Sequence, residues 1–269
     1  MAHSLPNRKN PILAVDHVSY SYHTLLGETR VLKDISFCVY PGEFIAIVGP
    51  SGCGKSTLLN LLAGLIETTE GKIYFQQQLV TKGNASALGI GYMLQHDYLF
   101  NWRSIWENVT LGLEIKKQKN KKNLEWVNEL LQKYGLADFR DKRPSQLSGG
   151  MRQRAALIRT LALNPQLLLL DEPFSALDYQ TRLSVSGDIG KIIRENKKTA
   201  ILVTHNLSEA ISLADRVFVL TRRPARIKSQ VEISLTMTDA SPLGYRSAPE
   251  FNGYFNELWE DLWDEKGIG

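Results

Sequence analysis

The stretch GPSGCGKST, residues 49–57, decides the fold of this chain. It matches the pattern G-x-x-x-x-G-K-[ST], in which a glycine-rich loop leads into a helix. The apolar run from Phe44 to Val48 comes directly before it and predicts a buried strand. The residues after the loop, Lys55 to Ala63, have helical spacing and end at Gly64, a residue typical of helix ends. The sequence therefore predicts a strand, a glycine loop and a helix in succession.

The composition of this loop suits a phosphate group. Gly49, Gly52 and Gly54 let backbone N–H groups turn inward, and the helix N-terminus adds partial positive charge. Lys55 is predicted to reach the β- and γ-phosphates of ATP, and Ser56 to ligate Mg²⁺. A glycine-rich turn without a ligand is the alternative. The predicted nucleotide contacts are Gly49, Pro50, Ser51, Gly52, Cys53, Gly54, Lys55, Ser56 and Thr57.

Cys53 lies within the loop, next to the predicted start of the helix. A helix N-terminus lowers the pKa of a thiol, so the sequence predicts a reactive cysteine. The alternative is a side chain that only fills space.

Two further strands end in residues that suit ATP hydrolysis. The apolar run Leu167 to Leu170 is followed by Asp171 and Glu172, which strand alternation is expected to point in different directions. Asp171 is predicted to hold Mg²⁺, and Glu172 to act as the general base on the attacking water; a polar strand cap is the alternative. His205 follows the predicted strand Thr199 to Val203 at the same edge of the sheet, and is predicted to bond the γ-phosphate or that water.

Short apolar runs alternate with helical patterns, which predicts a parallel α/β sheet. Strand signals are missing from Ser104 to Leu163, which predicts a helical subdomain inserted at about residues 96–165. We expect no internal repeat and no low-complexity linker. The predicted helices in and after this region are Ile105 to Leu113, Leu124 to Tyr134, Met151 to Leu163 and Arg182 to Glu195.

The composition excludes several classes of protein. The chain has 269 residues, 43% of them hydrophobic, and a formal net charge of +4. No window approaches the roughly 18 apolar residues of a spanning helix, and the N-terminal residues do not resemble a secretory signal, so we expect a cytoplasmic location. The two cysteines have no metal-site spacing. The lysine-rich stretch Lys116 to Lys122 predicts a solvated turn, with anionic lipid or nucleic acid as the alternative partner.

The stretch LSGGM, Leu147 to Met151, resembles the signature sequence of ABC ATPases. With the phosphate loop, Gln95, DEP at residues 171–173, SALD at residues 175–178 and His205, it reproduces the ordered motifs of that family from about Leu13 to Ile233. The resemblance implies a P-loop NTPase (RecA-like) core with an antiparallel β segment, forming a single ABC ATPase domain over residues 11–269. It also implies a C-terminal extension at about residues 236–269.

The signature would form a second anion site, because Ser148, Gly149 and Gly150 open a predicted helix. In the family this helix end contacts the γ-phosphate held by a partner subunit, which implies a homodimer or a pair of cassettes. An N-cap without a ligand is the alternative. Met151 stands where glutamine is commoner in the family.

Further roles follow from the resemblance. Tyr22 resembles the aromatic residue that stacks on adenine, with Tyr20 as the alternative because strand alternation is expected to let only one of them face the nucleotide. Gln95 resembles the glutamine that senses Mg²⁺ and the water and signals to the membrane subunit. Asp178 resembles the aspartate that crosses the dimer.

A cassette without fused membrane helices looks like the ATPase of an importer at the cytoplasmic face of the membrane, with separate permease subunits and, indirectly, a solute-binding protein. The stretches Met93 to Glu114 and Leu220 to Ile227 look like the nitrate, sulfonate and taurine importers, a group that includes importers of pyrimidine precursors. Residues Phe100 to Asn108 would receive a coupling helix of the permease, with Trp102 and Trp106 as anchors or as core residues.

The tail from Glu250 to Asp264 predicts an amphipathic helix that packs on its own domain or binds a partner.

Two rival functions are a soluble ABC ATPase that acts on nucleic acid and a nucleotide-binding module that has lost hydrolysis. The first usually has two cassettes or a long coiled coil, which the chain lacks, so no nucleic-acid partner is expected. Against the second, every residue type that hydrolysis needs is present.

Overall fold

The computed structural model describes residues 10–25, 27–236 and 242–263, which form two β-sheets and the helices around them. The strands are β1 Leu13–Thr24, β2 Gly27–Val39, β3 Phe44–Val48, β4 Glu70–Phe75, β5 Gln78–Leu79, β6 Ile90–Met93, β7 Leu167–Asp171, β8 Thr199–Val203, β9 Arg216–Leu220 and β10 Ile227–Glu232. The helices are α1 Lys55–Leu62, α2 Ala85–Leu88, α3 Ile105–Val109, α4 Leu111–Ile115, α5 Lys121–Lys133, α6 Gly149–Leu161, α7 Tyr179–Glu195, α8 Leu207–Leu213, α9 Pro242–Arg246 and α10 Phe251–Trp263.

The larger sheet has the strand order β10-β9-β3-β8-β7-β6. Its strands run parallel except for β10, which is antiparallel to β9. Every residue of β3, β7, β8 and β9 is buried, as expected for strands covered on both faces. Because β8 lies between β3 and β7, the carboxyl ends of these three strands meet at one edge. The predicted α/β core is confirmed.

The smaller sheet is antiparallel, with the order β2-β1-β4-β5, and it confirms the predicted antiparallel β segment. Together with α1 it covers one face of the parallel sheet. Leu58 and Leu62 of α1, Phe75 of β4 and Ile47 of β3 are fully or almost fully buried in the same apolar cluster. Helix α1 is therefore fixed between the two sheets, which places the loop before it at the sheet edge.

Helices cover the other face of the parallel sheet, where Leu168 of β7 and Leu202 of β8 pack with Ile158 of α6 and Ile189 of α7. No strand lies between β6 and β7, over residues 94–166, which are all described. This agrees with the predicted helical insertion. The division into a subdomain at residues 96–165 and a C-terminal extension stays a prediction.

Several helix boundaries differ from those predicted. Helix α7 begins at Tyr179, three residues before the predicted Arg182, because the Asp178 side chain caps it there. The expected helix Ile105 to Leu113 is interrupted at Thr110 and forms two helices, α3 and α4. The Thr110 hydroxyl donates to the Trp106 carbonyl at 2.8 Å and so competes with the backbone for this acceptor. Helix α5 begins at Lys121, where the Asn120 side chain caps it, so part of the lysine-rich stretch is helical. Helix α6 begins at Gly149, two residues earlier than predicted.

The C-terminal tail forms the predicted helix, α10, which ends at Trp263, while Asp264 lies outside the described residues. Phe251 and Leu258 are buried against the core, so the helix packs on its own domain. Burial of one such side chain contributes about 2 kcal/mol. Among the described helices, none has both the length and the apolar character that a bilayer crossing requires.

Candidate functional site

The phosphate loop connects β3 to α1, as predicted. Gly52 has a φ of +74° and Gly54 a φ of +125°, a backbone region that other residues rarely adopt. A Cβ atom on Gly54 would lie 2.7 Å from Val31 Cγ1 of β2. Close packing and backbone conformation thus both require glycine at this position.

Lys55 is buried inside the curve of this loop. Its Nζ donates to the carbonyl oxygens of Gly49 at 2.9 Å and Pro50 at 3.0 Å. An ammonium has three donors, so one remains for an anion in addition to these two bonds. Lys55 therefore already lies within the loop, where it could make the predicted contact with phosphate.

Ser56 and Asp171 bring two oxygen ligands together. The Ser56 hydroxyl donates to Asp171 Oδ1 at 3.1 Å, across the gap between α1 and the end of β7. Burial raises the pKa of the Asp171 carboxyl, and the hydrogen bonds it accepts oppose that rise only in part. A buried carboxylate beside a hydroxyl fits Mg²⁺, which prefers hard oxygen ligands and is usually held by one or two protein groups together with phosphates. The predicted pair for Mg²⁺ is thus adjacent in the structure.

Tyr92 of β6 also contacts Asp171, and sequence reasoning missed it. Its hydroxyl oxygen lies 3.3 Å from Asp171 Oδ2 and 3.1 Å from Asn60 Oδ1, so its single proton can be donated to either oxygen. Burial and the neighbouring carboxylate raise the pKa of Tyr92, so the hydroxyl keeps its proton and remains a donor. The sequence has no motif at this position, and only the pairing of β6 with β7 places the ring there.

Glu172 and His205 form a direct contact, with 3.0 Å between Glu172 Oε2 and His205 Nδ1. Strand alternation was the wrong reason for the separation of Asp171 and Glu172. Strand β7 ends at Asp171, and Glu172 has a φ of +42°, while its N–H donates to the Val203 carbonyl at 2.9 Å. With this left-handed conformation Glu172 contacts His205, whereas Asp171 contacts Ser56.

Gln95 lies near this group and bonds to Ser175. Its Nε2 donates to Ser175 Oγ at 3.4 Å, and Ser175 Oγ donates to the Glu172 carbonyl at 3.0 Å. Gln95 is therefore linked to the strand end through Ser175. Its roles toward Mg²⁺ and the water stay predictions.

Tyr20 and Tyr22 contact each other edge to face, with ring centroids 4.9 Å apart. Residues two apart share a face of a strand, so the expectation that alternation separates them was wrong. Tyr22 is exposed, and its hydroxyl lies 3.4 Å from Thr57 Oγ1 of α1, whereas Tyr20 packs against the buried cluster below. The geometry favours Tyr22 for adenine stacking, which stays a prediction.

The signature residues lie at the start of α6. The Ser148 side chain caps the helix by accepting from the Met151 N–H at 3.3 Å. A Cβ on Gly150 would lie 2.8 Å from Val185 Cγ2, so this glycine lets α6 approach α7 closely. Asp178 caps α7 by accepting from two N–H groups, and these bonds lower the pKa of its carboxyl. Capping and packing account for these residues within one chain, and their contacts with ATP stay predictions.

The prediction of a reactive Cys53 is wrong for this structure. The residue is 2% exposed and belongs to the apolar cluster under the phosphate loop. Burial raises the pKa of the Cys53 thiol, and the nearby Lys55 charge does not reverse that effect. Desolvation therefore outweighs the helix N-terminus here.

An aromatic surface follows Gln95. Trp102 is 71% exposed and stacks on Phe100 with centroids 4.7 Å apart. Trp106 is partly buried against the helical core, with Arg140 over its ring. Trp106 is therefore a packing residue, whereas Trp102 is exposed and its role as an anchor stays a prediction.

The chain resembles known proteins along most of its length. The family described as ABC transporter matches residues 32–175. The uncharacterized ABC transporter ATP-binding protein YtlC of Bacillus subtilis (strain 168) is 46% identical, over 93% of this chain and 95% of that protein. The taurine import ATP-binding protein TauB of Ruegeria pomeroyi is 39% identical over 94% of both. A solved structure, the dimeric post-hydrolysis state of the ATP-binding cassette MJ0796 bound to ADP and Pi, has a TM-score of 0.70 and 29% identity, and the match covers 82% of this chain and 98% of that one.

Proposed function

Because the chain belongs to the ABC transporter ATP-binding family, we propose that it hydrolyses ATP as the paired cassette of an importer with separate permease subunits. One observation carries the proposal. The phosphate loop, the Ser56–Asp171 pair and the Glu172–His205 pair all lie at the carboxyl edge of the same parallel sheet, where such sheets bind ligands.

The chemistry follows from these positions. The loop N–H groups and Lys55 hold the phosphates, while Ser56 and Asp171 would hold Mg²⁺, which supplies charge neutralisation on the β- and γ-phosphates when bound. Glu172 accepts a proton from the attacking water as the water oxygen bonds to the γ-phosphorus and the bond to the bridging oxygen breaks. The products are ADP and phosphate.

His205 orients this base. A neutral ring that donates from Nδ1 to Glu172 has an acceptor at Nε2, which suits the attacking water. A doubly protonated ring has a donor at Nε2, which suits the γ-phosphate. Both predicted contacts of His205 are therefore compatible with its bond to Glu172.

The dimer is proposed because the two predicted phosphate-binding helix ends pack in different places. The start of α1 packs against β2, and the start of α6 packs against α7. We infer that Ser148, Gly149 and Gly150 complete the site of a second copy or of a similar cassette. The dimeric cassette among the structural neighbours supports this arrangement.

The aromatic surface at Trp102 is proposed to receive a coupling helix of the permease, which would place the cassette at the cytoplasmic face of the membrane. An exposed aromatic pair that follows Gln95 in the sequence suits an interface anchor. The proposed solute is a small anion of the nitrate, sulfonate or taurine type, or a pyrimidine precursor. The taurine import relatives support this range, and the solute-binding protein would act through the permease.

Steady-state hydrolysis tests the catalytic part. We expect His205→Ala to lower kcat by about 100-fold, because the base loses its orienting partner. The control is His23→Ala, which removes an exposed imidazole from β1 and should leave kcat unchanged. Equal rates for both variants would remove His205 from the mechanism.

Binding to the permease tests the transport part. The permease is identified by purification from the native membrane together with this chain. Trp102→Ala should abolish its binding, whereas Trp259→Ala, on the exposed side of α10, should retain it. Retention of a permease by both variants would contradict the proposed surface.

A further inference from the structure

The turn after β9, residues 221–226, lies against the phosphate loop and is fixed to β2. Ala225 is fully buried, its N–H donates to the Val31 carbonyl at 2.8 Å, and its carbonyl accepts from the Lys33 N–H at 2.9 Å. The turn is closed by a bond of 2.9 Å from the Thr221 N–H to the Arg226 carbonyl. The backbone that carries Arg223 is therefore held in place by strand pairing.

Leu220 at the end of β9 and Arg223 in the turn after it contact the phosphate loop. Arg223 Nε donates to the Gly52 carbonyl, and its Nη2 lies 3.5 Å from the position of a Cβ on Gly52. Leu220 packs on Gly49, where a Cβ would lie 3.1 Å from the leucine Cβ. The segment from Leu220 to Arg223 thus supports the loop at its first and fourth residues.

We propose that Arg223 is a positioning residue for nucleotide binding, which rests on the proposed ATPase function. The loop binds phosphate with its N–H groups, so its carbonyl groups must point elsewhere. From inside the loop, Lys55 donates hydrogen bonds to the carbonyl oxygens of Gly49 and Pro50. From outside the loop, Arg223 donates a hydrogen bond to the carbonyl oxygen of Gly52. Arg223 holds the peptide after Gly52, a residue with a φ of +74°, in the orientation that phosphate binding requires.

A direct contact between Arg223 and ATP is not part of this proposal. The guanidinium acts through the loop, so it should stabilise the bound ground state and the transition state equally. Loss of such uniform binding raises KM and leaves kcat unchanged. This separates Arg223 from Lys55 and Glu172, whose loss should lower kcat.

The experiment compares Arg223→Ala with Arg226→Ala. Both changes remove one positive charge from the same turn, but the Arg226 guanidinium lies 3.8 Å from Asp34 of β2. We expect Arg223→Ala to raise the KM for ATP by about tenfold with kcat within about twofold, the effect of one charge-assisted hydrogen bond of modest strength. Arg226→Ala should leave both constants unchanged.

A third variant guards against misfolding. Arg223→Gln keeps a donor for the Gly52 carbonyl without the charge, so its KM should lie between those of the wild type and Arg223→Ala. Equal KM values for Arg223→Ala and Arg226→Ala would overturn the inference. It would also be overturned if both variants raised the KM and both increases disappeared at high salt, since that indicates a general effect of charge. If the wild-type chain itself does not bind ATP, the result refutes the proposed ATPase function and not only the role of Arg223.

Discussion

Replacement of Asp171 by asparagine separates the stability of the site from its function. The carboxylate is 8% exposed and accepts hydrogen bonds from Ser56 and Tyr92. Burial raises its pKa, so the folded chain binds this proton more tightly than the unfolded chain does. The contribution of Asp171 to stability is therefore fully present below the unfolded pKa and is lost as the pH rises through the folded pKa.

The asparagine can keep the same hydrogen bonds. Its Oδ1 accepts from Ser56, and its Nδ2 donates to the oxygen of Tyr92, whose own proton then goes to Asn60 at 3.1 Å. No buried polar group loses its partner, which would otherwise cost about 1–3 kcal/mol. We expect Asp171→Asn without nucleotide, in EDTA at pH 7, to be as stable as the wild type within about 1 kcal/mol, or more stable.

The functional effect should be much larger. A ligand at 100 times its Kd stabilises a protein by about 2.7 kcal/mol, and the neutral side chain removes the charge that would hold Mg²⁺. Thermal unfolding with and without MgATP, from pH 5 to pH 8, measures both effects. The control is Asp188→Asn, an exposed partner of Arg154, which should retain the gain from MgATP. The reasoning would be refuted if Asp171→Asn lowered the free energy of unfolding by about 3 kcal/mol or more without nucleotide. It would also be refuted if MgATP stabilised this variant as much as it stabilises the wild type.

Three further predictions concern the rest of the chain. Iodoacetamide should modify Cys38 before the buried Cys53, as followed by peptide mass spectrometry, and equal rates would contradict the burial of Cys53. Glu43→Ala should lower the free energy of unfolding in urea by about 3–5 kcal/mol, because it leaves the buried Arg216 guanidinium without its carboxylate. A decrease below about 1 kcal/mol would show that the pair is not essential for stability. Gly253→Ala in α10 should raise the free energy of unfolding by about 0.4–1 kcal/mol, since a Cβ there meets no atom within 4 Å. A lower stability of this variant would contradict the open position of Gly253.

The strands around the site could be predicted from the sequence because their apolar runs are short and sharply bounded. The runs at Phe44–Val48 and Thr199–Val203 are strands β3 and β8 in the structure. The phosphate loop follows from the glycine spacing in the same way, since a positive φ at Gly52 and Gly54 is a local requirement. Local signals of this kind need no knowledge of the tertiary structure.

The features that the sequence did not predict depend on contacts between distant segments. Tyr92 reaches Asp171 only through the pairing of β6 with β7, and Arg223 reaches Gly52 from a turn at a separation of 171 residues. For Cys53 two effects oppose each other, and only the packed structure shows that burial outweighs the helix end. The interruption at Thr110 coincides with a local hydroxyl bond that helical periodicity does not reveal.

The central claim is that ATP joins two copies of this chain, or this chain and a similar cassette, by lying between the phosphate loop of one and the start of α6 in the other. The most direct measurement is the mass of Glu172→Gln in solution by light scattering, with and without MgATP. Because this variant should bind ATP without hydrolysing it, we expect a shift from the 30.3 kDa of one chain to twice that mass when MgATP is added. A variant that binds MgATP and keeps the mass of one chain, while the single wild-type chain hydrolyses ATP at full rate, would contradict the account.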